Sequence, residues 1–375
     1  MKEFSIKPKV YFGNDSIEVI SKLKGTKALI VTDPFMIKIG FVDKIQGLLR
    51  KANIEYSVFS EVQPDPPIEI INLGIKHTLK FLPDIVIALG GGSAIDVAKG
   101  ICVFSSGIIR ATDKTKEKPL FVAIPTTSGT GSEVTAFSVV TDKKNNRKYP
   151  LYDISLTPDI SILDVQLVKS VPKEIVADTG MDVLTHAIEA YVSKNASDYS
   201  DALAEKAIRL VFKYLIRSYK DPKDIEAKEK MHNASCLAGM AFNNASLGLN
   251  HGMAHVLGGK FHIPHGRANA IVITNVIEYN SNVNDAAKKY RDIAESLNLP
   301  CDNIKKGVIS LIDEIKKLKK EINIPSLQEL TINKDKYYKE ITNMAKIALE
   351  DKCTATNPKI PTLNEVEELL KKTYI

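Results

Sequence analysis

Residues 84–100 read DIVIALGGGSAIDVAKG, and the order of their parts decides the fold. A β-branched apolar run ends in three glycines, Gly90, Gly91 and Gly92, and Ser93 then opens a stretch with helical spacing that holds Asp96. A buried strand that turns through glycines straight into a helix has the architecture of an anion cradle, although a tight strand-to-helix turn can need glycine for packing alone. Glycine lets the backbone approach a pyrophosphate, and the free N–H groups at the positive end of the helix attract it. The run is not G-x-G-x-x-G, and it follows the third strand signal of the chain instead of the first, so the ordinary Rossmann fingerprint is absent.

The same rhythm extends to both sides. KALIVTD (27–33), YSVFSEV (56–62), PLFVAIP (119–125) and ISILD (160–164) are short apolar runs separated by helical stretches, the pattern of a parallel sheet covered by helices. After the strand that follows the glycines comes a polar loop, PTTSGTGSE (125–133), offering the hydroxyls of Thr126, Thr127, Thr130 and Ser132. Open parallel sheets bind ligands beyond their carboxyl edge, so the two loops are expected to converge on one dinucleotide. Asp33 ends the first strong strand, where a carboxylate accepts hydrogen bonds from a ribose 2′-hydroxyl and repels a 2′-phosphate, which favours NAD over NADP; a plain strand-end turn before Pro34 fits the same residues. In EVTAFSVVTDKKNNRKYPLYD (133–153) two strand-like runs flank an Asn-containing turn, a β-hairpin inserted into the α/β unit.

Beyond ISILD the strand signals fade, and helical patterns such as DVLTHAIEAYV (182–192) and DALAEKAIRLVFKYLI (201–216) take over. The expected organisation is an α/β dinucleotide-binding domain over residues 1–178 and an all-helical metal-binding domain over 179–375, with a cleft between them. A length of 375 residues suits two domains.

Composition narrows the function. The net charge of +6 is spread thinly, its densest basic stretch (Lys316 to Lys320) alternates with apolar residues as a solvated helix face does, and there is no Trp, so nucleic acid is not the expected partner. The four cysteines stand far apart without a CxxC pair, which argues against a disulfide framework or a cysteine zinc site. The first residues lack an apolar signal core and no uninterrupted 18-residue apolar run occurs, so no membrane is expected and the cytoplasm is the expected location.

The helical half carries the metal chemistry. In TGMDVLTHAIEAY (179–191), Asp182 stands four residues before His186, which puts carboxylate and imidazole one turn apart on a helix face. Of the seven histidines, His251, His255, His262 and His265 crowd into NHGMAHVLGGKFHIPHG (250–266). Imidazoles and a carboxylate without thiolate make an N/O site suited to Fe(II) or Zn(II), and spacing alone leaves open which of the four downstream histidines join it. HGMAH has the two-histidine spacing of a zinc protease but lacks the glutamate that would serve as its base; G-x-S-x-G and G-x-x-x-x-G-K-[ST] are absent, so peptide hydrolysis, serine hydrolysis and phosphoryl transfer have no support. Dinucleotide plus metal is the equipment of hydride transfer, with the metal acting as Lewis acid on an alcohol or carbonyl oxygen.

Taken in order, VTDP, GGGSAIDVAK, PTTSGTGSEVT, TGMDVLTHAIEAY, HGMAH and PHG resemble the iron-type (group III) alcohol dehydrogenases over nearly the whole chain. KYPLYD, SDYSDALAEKAIRLVFKYL and KMHNAS are most similar to the 1-propanol dehydrogenases of propanediol utilisation within that family. The resemblance implies metal ligands at Asp182, His186, His251 and His265, and leaves His255 beside the nicotinamide as a proton-relay group. It implies a packing or supporting role for His262, a place for Lys148 near the cofactor ribose, and one for Cys353, in DKCTATNP, near the substrate. ILDVQ (162–166) departs from relatives that carry proline after the aspartate. The implied function is an NAD(H)-dependent oxidoreductase with Fe(II), or Zn(II), interconverting a propanal-like aldehyde and its primary alcohol as a homo-oligomer. Two other readings stand beside it. A dehydroquinate-synthase-like lyase also joins NAD to a metal, but would need a basic phosphate pocket where this segment supplies Lys260 and Arg267 only. A microcompartment cargo would associate with shell proteins or an aldehyde-producing enzyme, which is compatible with catalysis.

Overall fold

The computed structural model describes residues 3–112, 117–142 and 147–374, with the side chains of Thr112, Asp142, Arg147, Lys148 and Pro150 outside that description. The chain divides into a unit of Ser5–Ser170 and a unit that runs from Val171 onward and takes in the residues before Ser5.

The first unit contains β1 (Lys9–Gly13), β2 (Lys27–Val31), α1 (Pro34–Lys38), α2 (Phe41–Lys51), β3 (Glu55–Phe59), α3 (Ile68–Phe81), β4 (Ile85–Gly90), α4 (Gly92–Thr112), β5 (Leu120–Pro125), β6 (Phe137–Asp142), β7 (Arg147–Tyr152) and β8 (Ile160–Asp164). Its six-stranded sheet has the order β1-β8-β5-β4-β2-β3, every pair parallel, and β6 and β7 form the separate antiparallel hairpin expected from the sequence. Alternation along β4 explains its central place. Ile85, Ile87 and Leu89 pack with Ala28, Ile30 and the inner face of α2 on one side, while Val86 and Ala88 pack with Leu29, Val31 and the residues of α4 on the other. A strand buried on both faces reads as an unbroken apolar run, as this one does.

The strand β1 has no counterpart among the sequence signals. KVYFG is an edge strand, partly exposed along its length with Phe12 outward, and it is held by parallel pairing to β8 (Tyr11 opposite Ile162), a contact 151 positions away that no local pattern announces. Because of it the glycine-rich turn follows the fourth strand. Helix α4 is also long and apolar enough by length and composition to cross a membrane, although Asp96 and Lys99 interrupt it. Its apolar residues Ala94, Ile95, Val97, Ala98, Ile101 and Cys102 are buried on the sheet, and the Lys99 ammonium donates to the carbonyls of Thr135 (2.8 Å) and Phe137 (2.5 Å), tying the helix to the start of the hairpin.

Among the described residues the second unit is helical: α5 (Lys173–Val192), α6 (Asp198–Lys220), α7 (Ile225–Ala245), α8 (Leu249–Phe261), α9 (His265–Asn280), α10 (Asn284–Ser296), α11 (Ile304–Glu321), α12 (Lys334–Glu350) and α13 (Leu363–Tyr374). Burial follows the long spacing seen in the sequence. Helix α5 is buried almost throughout from Val176, whereas α6, α10 and α11 show one apolar stripe each. A core of Leu249, Met253, Leu257, Val272, Tyr337, Met344 and Leu370 joins α8 and α9 to α12 and α13. Helix α5 is therefore central, and Asp178, Asp182, Thr185, His186 and Glu189 on it are shielded from water.

Candidate metal centre

Three helices bring four donors together. On α5, Asp182 and His186 lie one turn apart, both buried; His251 stands in the first turn of α8, and His265 opens α9. The Nε2 atoms of His186 and His251 are each 3.8 Å from Asp182 Oδ1, and His265 Nε2 is 3.5 Å away. All four ligand atoms lie within 4.8 Å of one another. Two donors bound to one tetrahedral ion at about 2.0–2.1 Å are about 3.3 Å apart, so the three imidazole nitrogens stand within about half an ångström of ligating spacing from Asp182 Oδ1. The residues present fit a divalent cation. Burial alone would keep a carboxylic acid protonated, but the imidazoles of His186, His265 and His251 hold Asp182 well below the usual carboxylate range.

Close helix contact makes this possible. A Cβ on Gly266 would stand 2.1 Å from the Asp178 carbonyl oxygen and 3.2 Å from Asp182 Cβ, so only glycine lets the first turn of α9 lie against α5. Next to it, Arg267 donates from Nε to Asp178 Oδ1 and from NH2 to Oδ2, both at 3.0 Å, a fork that fixes the approach. The PHG sequence therefore sets where His265 sits.

Around the donors stand residues that spacing did not single out. Glu189, buried on α5, accepts from His251 Nδ1 at 2.5 Å, and its other oxygen accepts from the Asn250 backbone N–H at 2.7 Å. Burial disfavours a charged imidazole, yet the Glu189 and Asp182 carboxylates lift His251 to about 9. The Asn269 amide nitrogen lies 2.8 Å from Asp182 Oδ1, 3.1 Å from His251 Nε2 and 3.2 Å from His265 Nε2, and Asn250 donates to the Asn269 side-chain oxygen at 2.8 Å. A signal existed for both: Glu189 is seven residues after Asp182 and Asn269 four after His265, each on the ligand-bearing face of its helix.

His255 follows His251 by one turn, its ring stacked on His265 with centroids 5.3 Å apart. Its Nδ1 meets Asp351 Oδ2 at 2.7 Å, and Asp351 Oδ1 accepts the Cys353 N–H at 2.8 Å. Burial works against the carboxylate, but these partners hold Asp351 down at about 2. Cys353 thus lies beside His255, with its thiol pushed well up by burial and by Asp351. His262 takes another place from that of a ligand: it is exposed and ends α8 in the left-handed conformation with φ 55°.

In the first unit, the two loops at the ends of β4 and β5 do meet. Thr126 N–H donates to the Gly90 carbonyl at 3.0 Å, Gly90 has φ 148°, and a Cβ on Gly92 would lie 2.8 Å from Thr130 Cγ2. Gly91 faces Thr127 in the same way at 3.4 Å. Ser93 stands at the start of α4, while Asp96 and Ser132 bind each other at 2.7 Å and Asp96 also accepts the Val139 N–H, so this pair braces the loop against the hairpin. Asp33 caps α1, its Oδ1 accepting from Phe35 and Met36 N–H, and its Oδ2 lies toward Gly90. The Lys148 side chain falls outside the described residues.

Residues 7–165 match the family described as iron-containing alcohol dehydrogenase, and residues 176–374 match the C-terminal part of the iron-containing alcohol dehydrogenase family. The chain is 42% identical to an aldehyde-alcohol dehydrogenase of Streptococcus pneumoniae over all of its own length, but spans only 46% of that longer protein. It is 44% identical to a 1-propanol dehydrogenase of Citrobacter freundii, covering 99% of this chain and 100% of that one. Identity to an NADPH-dependent butanol dehydrogenase of Clostridium saccharobutylicum is 41%, covering 100% and 98%. The crystal structure of a 1,3-propanediol oxidoreductase superposes over 100% of both chains with a TM-score of 0.92 at 35% identity. Family match and full-length likeness together show that the chain belongs to the iron-containing alcohol dehydrogenases.

Proposed function

We propose that the protein interconverts a short-chain aldehyde, propanal or one of similar size, and its primary alcohol with NAD(H), using Asp182, His186, His251 and His265 to hold Fe(II), with Zn(II) the alternative ion. The observation that carries the reading is the set of one carboxylate and three imidazole nitrogens within 4.8 Å, with Asp182, His186 and His251 buried and His265 on the exposed side. A bound divalent ion supplies Lewis acidity, lowering the pKa of an alcohol and polarising a carbonyl, and the nicotinamide carries the hydride. In balance, alcohol and NAD+ give aldehyde, NADH and one proton.

The chain's own residues account for the rest. The Gly90–Gly92 turn and the Thr126–Thr130 loop offer backbone N–H groups and hydroxyls to a pyrophosphate, and Asp33 offers Oδ2 to a ribose hydroxyl while Oδ1 stays on its cap. The proton lost by the alcohol must reach water. His255, with 42% of its side chain exposed and Nδ1 directed to Asp351, is placed to take it on Nε2. Cys353, beside His255, is assigned to the substrate side, and Lys148 to the cofactor ribose. The reading includes a homo-oligomer of the cytoplasm, inside a microcompartment if a shell partner exists, which native mass spectrometry and co-purification test. No observation on the site favours the lyase.

The deciding experiment loads purified protein anaerobically with Fe(II) and follows NADH at 340 nm on addition of propanal, with NADPH in parallel. Activity with NADH is expected, His251→Ala should lose both metal and turnover, and His255→Ala should keep its metal while turning over slowly. Silence toward all short aldehydes with Fe(II) and Zn(II) would overturn the reading.

A further inference from the structure

Helix α8 carries His251 in its first turn, yet Gly248 at its N-cap has no side chain to satisfy the helix's first N–H groups. Two distant side chains do so. Asn357, from the segment before α13, accepts the Leu249 N–H at 3.1 Å, and Glu189, from α5, accepts the Asn250 N–H at 2.7 Å. Both press against Gly248, where a Cβ would meet Glu189 Oε1 at 2.7 Å and Asn357 Oδ1 at 2.8 Å. Only Glu189 also reaches the imidazole, through Oε2 on His251 Nδ1 at 2.5 Å.

We infer that Glu189 is a positioning residue of the metal centre: one carboxylate caps α8 and, with its second oxygen, holds the His251 proton on Nδ1 so that the Nε2 lone pair faces Asp182, His186 and His265. A metal-binding histidine needs an acceptor on its distal nitrogen to fix ring and tautomer. The two donors stand at different oxygens, Asn250 N–H at Oε1 and His251 Nδ1–H at Oε2, so an acceptor is needed at each end of the carboxylate. Glutamine has one. With its oxygen kept on the Asn250 N–H, a Gln amide would present N–H groups to Nδ1, and the imidazole proton would be driven to Nε2, the ligand nitrogen.

The inference rests on the metal reading above and extends it to a residue outside the ligand set. It is tested on the full-length protein at pH 8 by Co2+ affinity, measured against a competing chelator, together with the Co2+ d–d spectrum and the melting temperature of the metal-free form. Glu189→Gln should bind Co2+ about 10–100-fold more weakly, the usual cost of removing such a support, with altered d–d bands. Asn357→Ala removes the neighbouring cap without touching the imidazole; it should lower the metal-free melting temperature and leave Co2+ affinity within about threefold. Wild-type affinity and spectrum in Glu189→Gln, or equal metal loss in both variants, would overturn the inference. Should Glu189→Gln fail to fold, 15N-histidine spectra of wild-type protein loaded with Zn2+ decide: a proton on Nδ1 of His251 supports it, and a proton on Nε2 refutes it. If wild type itself binds no divalent ion, the metal reading fails, an outcome distinct from the others.

Discussion

Metal uptake by this centre should expel a proton from His251. In the metal-free protein the flanking carboxylates of Glu189 and Asp182 lift that imidazole from the ordinary 6.5 to about 9. At pH 7 such a group is about 99% protonated, and the cation cannot ligate, so the proton on Nε2 must leave before the ion binds. Apparent affinity should therefore fall about tenfold, or about 1.4 kcal/mol, for each pH unit lowered below 8. The sign in the fold itself is the opposite. A raised imidazole pKa stabilises the metal-free protein fully below pH 6.5, and that contribution is lost as pH rises through about 9. The gap in melting temperature between loaded and metal-free protein should thus widen from pH 6.5 to 9. Calorimetric titration with Zn2+ at pH 7 in buffers of different ionisation heat counts the protons. At least one per ion is expected; none, with affinity flat between pH 6 and 8, would show that His251 is not held as its two carboxylate neighbours require.

Three substitutions probe the other contacts. Gly266→Ala puts a methyl 2.1 Å from the Asp178 carbonyl, so α9 must back away from α5 by more than 1 Å; metal content should collapse with a stability loss of about 1–3 kcal/mol, read by metal analysis and thermal melting. Gly92→Ala, whose methyl would meet Thr130 Cγ2 at 2.8 Å, should weaken NADH binding about tenfold in fluorescence titration while leaving metal content unchanged. Asp33→Ala removes the α1 cap and should cost about 1 kcal/mol of stability; if Oδ2 also serves the ribose, the ratio of NADH to NADPH turnover falls as well, and an unchanged ratio would restrict Asp33 to capping.

Local sequence carried some of these features and was silent on others for a physical reason. β4 and the glycine turn were legible because burial on both faces and a strand-to-helix reversal leave marks within a few residues. β1 was not, since an edge strand is stabilised by its partner, and β8 lies far along the chain. Asp182 and His186 announced themselves by helical spacing, but the choice of His251 and His265 over His255 and His262 depends on where α8 ends and how closely α9 approaches α5. Spacing within NHGMAHVLGGKFHIPHG cannot encode that. It needed the resemblance, and the geometry places His262 outward at the end of α8.

Glu189 shows the limit most clearly, because its spacing was visible while its purpose was not. At positions 182, 186 and 189 of one helix, carboxylate, imidazole and carboxylate share a face, and from α5 alone Glu189 could as well have been a third ligand. What distinguishes the two acids is the element each meets. Asp182 faces the Nε2 atoms of three histidines, whereas Glu189 meets the N-terminus of α8, where two donors one residue apart, Asn250 N–H and His251 Nδ1, take both of its oxygens. A carboxylate so engaged turns both oxygens to α8, away from the donors around Asp182 Oδ1, and instead decides which nitrogen of His251 can reach an ion. The same residue type on the same face therefore serves opposite sides of one imidazole, and the partner helix, not the spacing, assigns the side.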